Sequence, residues 1–123
     1  MSRIVSLGHY QPARVLTNED LSRMVETTDE WIRERVGIVT RRIADNETVA
    51  DMAAAAADKA LANAGLTPAD IDLVVVATCS AVDRTPNVAC RVAAKLGISA
   101  PAAYDINTAC SGFSYALATV DHA

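Results

Sequence analysis

The run Ile71-Asp72-Leu73-Val74-Val75-Val76-Ala77-Thr78 reads as a fully buried parallel strand. Aliphatic and β-branched residues follow one another there without polar alternation, as a strand covered on both faces requires. Upstream, Thr67-Pro68-Ala69-Asp70 predicts a one-turn cap with proline at the first helical position. Before that, Thr48 opens the longest predicted helix, Val49–Ala64, and Gly65 closes it. The five alanines at 53–57 give this helix strong propensity and a thin profile. Downstream, Pro86 begins a helix that runs to about Leu96 and stops at Gly97. Residues 102–106 form the next strand, and Cys110 opens the last helix. Helix, strand, helix, strand, helix predicts an α/β layered fold with a mainly parallel sheet. Right-handed crossovers would bring residues 78–80 and 107–110 to one sheet edge, where ligands of such folds bind.

The first third is less regular. Residues 4–10 look like a first strand, weakened by Gly8 and ended by Pro12. Thr17 can cap a short helix through Asp20. Thr27-Thr28-Asp29-Glu30 has the spacing of a capping box with Thr27 as N-cap. The helix it opens carries Trp31, Ile32 and Arg35 and ends at Gly37, and residues 38–44 follow in extended form.

Apolar residues make up 51% of the chain of 123 and aromatics only 4%. The core is therefore aliphatic. A net charge of −4 argues against nucleic acid held by bulk charge. No apolar stretch approaches a membrane span, and residues 1–7 have no signal-peptide pattern. Cys79, Cys90 and Cys110 show neither Cys-x-x-Cys nor zinc spacing, so no metal site is expected and a reducing cytoplasm is.

Cys110 is the candidate nucleophile. In Tyr104-Asp105-Ile106-Asn107-Thr108-Ala109-Cys110-Ser111-Gly112-Phe113, a strand ends in small residues and hands a thiol to a helix start. A thiolate nucleophile is favoured at the positive end of a helix. A small buried core cysteine is the competing reading, and the junction alone leaves both open.

The stretch from Asp105 to Leu117 resembles the active-site segment of β-ketoacyl-acyl-carrier-protein synthase III, a condensing enzyme of the thiolase superfamily. Thr17-Asn18-Glu19-Asp20-Leu21 is similar to the segment after that family's first strand. Thr28-Asp29-Glu30-Trp31-Ile32 with Arg35-Val36-Gly37-Ile38 is similar to its coenzyme-A segment, residues 72–78 to its central strand, and Thr85-Pro86 to its substrate-pocket loop. The matches follow the family's order along nearly the whole chain.

The resemblance implies a thiolase-like layered fold with a mixed, mainly parallel sheet, of which residues 1–123 form an incomplete amino-terminal half. It implies that Cys110 takes an acyl group from acyl-coenzyme A and passes it to a malonyl unit on acyl carrier protein by decarboxylative Claisen condensation. This reaction would start fatty acid synthesis. The implied cofactor contacts are Trp31 on adenine, Arg35 near phosphate and, more weakly, Thr27, whose cap role already accounts for it. Thr85 would line the partner's acyl pocket in a homodimer. No tightly bound cofactor, nucleic acid or membrane partner is implied. The family's catalytic His and Asn have no match here. His122 lies twelve residues beyond Cys110, roughly 18 Å along a helix, and His9 matches no motif. The chain alone is expected to be an inactive fragment. Alternatives are a related polyketide or quinolone-type condensing or acyl-transfer enzyme, and a partner subunit that shapes a pocket without reacting.

Overall fold

The computed structural model describes residues 2–123. It contains two compact units: one joins the residues up to Tyr10 with Thr48–Ala123, and the other is Gln11–Glu47.

The larger unit holds strands β3 (Leu73–Ala77) and β4 (Ala102–Ile106) and helices α3 (Val49–Ala64), α4 (Val88–Leu96) and α5 (Gly112–His122). β3 and β4 pair in parallel, Leu73 beside Ala102 through Ala77 beside Ile106. Both strands therefore end at the same edge, as the alternation predicts. The bond from Thr78 N to the Ile106 carbonyl, 3.0 Å, carries the pairing one step past β3. β3 is half-buried rather than fully buried, and Ala77 is exposed. Val74 and Val76 turn towards α3 and α4 and pack on Ala50, Ala54, Val88 and Val92.

Local caps set the helix limits. Thr48 and Asp51 form a reciprocal capping box on α3, and Gly65 ends it in the left-handed conformation, φ 67°. Asp51 also meets Lys95 of α4 at 2.6 Å. That lysine first, and Thr48 second, hold its carboxyl well below the usual carboxylate range. α4 starts at Val88, capped by Asn87, so Pro86 precedes the helix instead of opening it.

A second device fixes α4, one that local sequence does not reveal. The Asp105 carboxylate of β4 accepts bonds from Val88 N and Ala89 N, each 2.8 Å. Asn87 Nδ2 also donates to the Ala103 carbonyl at 3.2 Å. A carboxylate on the first amides of a helix satisfies orphan donors and suits the positive helix end. Asp105→Ala strands both amides in a part-buried setting and is expected to cost about 1–3 kcal/mol. Chemical denaturation measures that cost, and an unchanged midpoint would contradict it.

Residues 4–10 do not form the expected strand. They lie along α3, held by the bond from Ser6 Oγ to the Ala60 carbonyl, 2.7 Å, and from Asn63 Nδ2 to the Leu7 carbonyl, 2.8 Å. Gly8 explains the close crossing. A Cβ there would collide with the Ala56 carbonyl oxygen and come within 2.5 Å of Ala60 N. The alanine-rich surface of α3 serves this contact as well as the sheet.

The smaller unit pairs β1 (Arg14–Thr17) with β2 (Thr40–Ile43) in antiparallel register and adds helices α1 (Asn18–Ser22) and α2 (Asp29–Val36). Thr17 and Asp20 make the capping box of α1. The N-cap of α2 is Thr28 rather than Thr27, with Trp31 N donating to its hydroxyl at 3.1 Å. The helix begins one residue later than the Thr27–Glu30 spacing suggested, so the Thr28 hydroxyl faces the third helical amide. Gly37 ends α2 at φ 71°.

Candidate active site

Cys110 lies in a 3-10 turn, Ala109–Ser111, between the end of β4 and the start of α5. It precedes the helix proper, which begins at Gly112. Its residue is exposed, which removes the buried-core reading. The backbone that presents it is constrained. Ala109 takes the left-handed conformation, φ 47°, which costs a residue with a Cβ of order 1–2 kcal/mol. Ala109 N donates to Asn107 Oδ1 at 3.3 Å, and Ser111 N to the Thr108 carbonyl at 3.1 Å. Gly112 is buried, and a Cβ there would sit 3.0 Å from Ala77 Cβ. Its small size thus lets α5 start against the end of β3.

The amino terminus of α5 differs from those of α1, α2, α3 and α4. Each of those four has a side chain accepting from a first-turn amide, whereas α5 has no such cap and no acidic residue in its first turn. Its first amide, Gly112 N, bonds back to the Ala109 carbonyl in the turn that holds Cys110, and no side chain caps the helix.

The other strand end opens into a cleft of ≈ 460 Å³ lined by Thr78, Cys79, Arg84, Asn87, Tyr104 and Asn107, among others. Cys79 lines it; Cys110 and Thr85 do not. Thr85 sits exposed on the loop before α4. Arg91 pins that loop through Asp83, 2.5 Å, and the Pro86 carbonyl, 3.3 Å. This anchor escapes sequence reading because its partners come from a loop and a helix. Cys90 is exposed too, but within α4.

In the smaller unit, Trp31 and Arg35 share a face of α2, with Arg35 Cζ 5.8 Å from the ring centroid. Trp31 is 55% exposed while its neighbour Ile32 is 6% exposed, so the helix turns the aliphatic residue inward and leaves the indole available. Thr27 joins Glu26, Thr28 and Trp31 around a shallow pocket. Asp29 stands at the helix start with its carboxyl held below the usual range, first by Asn18 and then by Arg33. His9 and His122 are both exposed, and His122 Nδ1 lies 2.7 Å from the Ala118 carbonyl. Among the described residues no three His, Cys, Asp or Glu side chains gather as a metal site. Among the described residues no helix is long and apolar enough to cross a membrane.

No family model matches the chain. Individual proteins do. It is 68% identical over 123 residues to β-ketoacyl-[acyl-carrier-protein] synthase III 4 of Streptomyces coelicolor, a match covering 99% of this chain and 39% of that protein. Nearly its whole length matches part of a β-ketoacyl-[acyl-carrier-protein] synthase III. The crystal structure of 3-oxoacyl-[acyl-carrier-protein] synthase III from Aquifex aeolicus superposes with a TM-score of 0.95 at 48% identity, over 98% of this chain and 39% of that one. The priming β-ketosynthase of the R1128 polyketide pathway gives 0.92 at 40% identity, over 95% and 35%. With these structures the chain shares the layered α/β fold of thiolase type. It spans about two fifths of the length of the synthase III relatives it matches.

Proposed function

We propose that this chain supplies the nucleophile and the coenzyme-A face of a β-ketoacyl-[acyl-carrier-protein] synthase III. The observation that carries the reading is the setting of Cys110: an exposed thiol on a strained turn, at the carboxyl end of a parallel strand, before an uncapped helix. Its sulfur attacks the thioester carbonyl of acyl-coenzyme A. Coenzyme A leaves as its thiol with the cysteine proton, and the acyl group stays on sulfur. The malonyl group of malonyl-acyl carrier protein then loses carbon dioxide. The enolate carbon so formed attacks the acyl carbonyl, and the cysteine sulfur departs. The product is a β-ketoacyl-acyl carrier protein, at the start of fatty acid synthesis. In this reading the Cys110 N–H beside the sulfur donates to the thioester oxygen. The family's His and Asn complete the catalytic set. The enzyme works as a homodimer in the cytoplasm, with coenzyme A as a passing substrate and no resident cofactor.

Thr85 leaves more space than an aromatic residue in the pocket it is proposed to line, so branched and longer primers fit. Acetyl-, isobutyryl- and longer acyl-coenzyme A, offered to the full-length protein, should each leave its acyl mass on Cys110. Label on Cys79 or Cys90 would overturn the nucleophile, and acetyl alone would overturn the roomy pocket. The likeness to the R1128 priming ketosynthase supports a second reading, polyketide priming. Activity with a polyketide carrier protein but none with the fatty-acid carrier would select it.

Trp31 stacks on the adenine of coenzyme A, and Arg35 beside it meets phosphate. Thr27 borders the same face. Base–aromatic stacking is worth about 1–3 kcal/mol, so Trp31→Ala should raise the Michaelis constant for acyl-coenzyme A about tenfold. An unchanged constant would remove the stacking role.

A further inference from the structure

Asn18 is the buried polar residue among those described, at 1% exposure. Its side-chain amide is nearly saturated. Nδ2 donates to Asp29 Oδ1 at 2.7 Å and to the Ile38 carbonyl at 2.8 Å. Oδ1 accepts from Arg41 Nη2 at 2.7 Å. An amide offers two N–H donors and one oxygen acceptor, and every one of these is used. The partners are the first residue of α2, the residue just past its Gly37 cap, and the middle of β2. One side chain therefore clasps both ends of α2 and ties it to β2.

The clasp matters because α2 is a short helix. It is eight residues long, and Ile32 is its buried residue. Helices this short are not stable by themselves. Polar ties at the ends decide which way the opposite face looks, and that face carries Trp31 and Arg35. The free oxygen of Asp29 is held by Arg33 Nε at 2.7 Å, so the first turn is braced from both sides of the carboxylate.

We infer that Asn18 is a positioning residue for nucleotide recognition, holding α2 so that Trp31 and Arg35 meet the nucleotide of coenzyme A together. The inference rests on the coenzyme-A reading of Trp31 given above. It assigns Asn18 no contact with substrate. A misplacement of about 1 Å at a recognition face can cost as much as 100-fold.

The test compares kcat and the Michaelis constant for acyl-coenzyme A in the full-length enzyme. Asn18→Ala should raise the Michaelis constant about tenfold with kcat nearly kept. Asn18→Asp should be worse, because its carboxylate faces that of Asp29. Asn18→Asp combined with Asp29→Asn restores the amide–carboxylate pair at the first turn and keeps an acceptor for Arg41, but leaves the Ile38 carbonyl without its donor, so it should recover part of the loss. Two results would overturn the inference: a folded Asn18→Ala enzyme with an unchanged Michaelis constant, or a loss confined to kcat and stability that the exchanged pair does not repair. Trp31→Ala measured alongside separates the two claims. If Trp31→Ala raises the constant and Asn18→Ala does not, only the positioning role falls. If neither raises it, the coenzyme-A reading falls first and this one with it.

Discussion

Cys110→Ala is expected to abolish acyl-enzyme formation and condensation in the full-length enzyme while leaving the fold intact. Removal of a covalent nucleophile costs on the order of 10⁴–10⁶ in turnover, because no neighbouring group can form the same intermediate. The structural cost is small by contrast. Cys110 is exposed, so the substitution leaves no cavity, and surface changes of this kind stay within about 0.5 kcal/mol. The two measurements separate chemistry from folding: the acyl mass disappears and the denaturation midpoint stays. Cys79→Ala and Cys90→Ala serve as partners to the experiment. Both cysteines are exposed, as Cys110 is, but Cys79 lines a cleft beyond the other strand and Cys90 lies within a capped helix. Either variant should keep the adduct. An acyl mass that survives Cys110→Ala would refute the assignment, whatever the likeness to other synthases.

What the chain shows before folding is mostly local chemistry. Thr48, Asp51 and Gly65 bound α3 through contacts within four residues, and such contacts are visible in sequence spacing. Residues 102–106 form β4 with the expected limits for the same reason: an apolar run between a turn and small residues. Errors appear where one residue of register decides the outcome. Thr27 and Thr28 are equally able caps, and only the position of Trp31 N selects Thr28. Residues 4–10 have strand composition, but a strand needs a hydrogen-bonded neighbour, and here Ser6 and Leu7 bond to α3. The contacts that escape sequence reading altogether reach between elements, over eight to seventeen residues. Asp105 on α4, Arg91 on the Thr85 loop and Asn18 on Asp29 join residues whose proximity exists only after folding. Trp31 and Arg35 fall between these cases. Their common face follows from helical spacing, while the buried amide that steadies the helix does not.

Gly8→Ala is expected to be the most damaging single-methyl change in the larger unit. The added carbon would enter the space of the Ala56 carbonyl oxygen and lie 2.5 Å from Ala60 N. Both are backbone atoms of α3, a helix fixed on its other side by α4 and the sheet, so no side chain can swing aside to make room. The amino-terminal segment must lift instead. Lifting breaks the Ser6–Ala60 and Asn63–Leu7 bonds, and it takes Ile4 and Val5 away from the open apolar pocket that they line with Leu61 and Ala64. Overpacking of this kind costs about 1–3 kcal/mol, and a clash with rigid backbone belongs at the upper end. Gly65→Ala provides the scale. Gly65 has φ 67° but open space around its Cβ position, so its penalty is conformational alone, about 1 kcal/mol. Chemical denaturation should therefore rank Gly8→Ala clearly below Gly65→Ala in midpoint, and hydrogen exchange at residues 4–8 should rise in the Gly8 variant only. Equal midpoints with unchanged exchange would mean that the segment does not cross α3 at Gly8, and that the alanine surface of α3 serves some other contact.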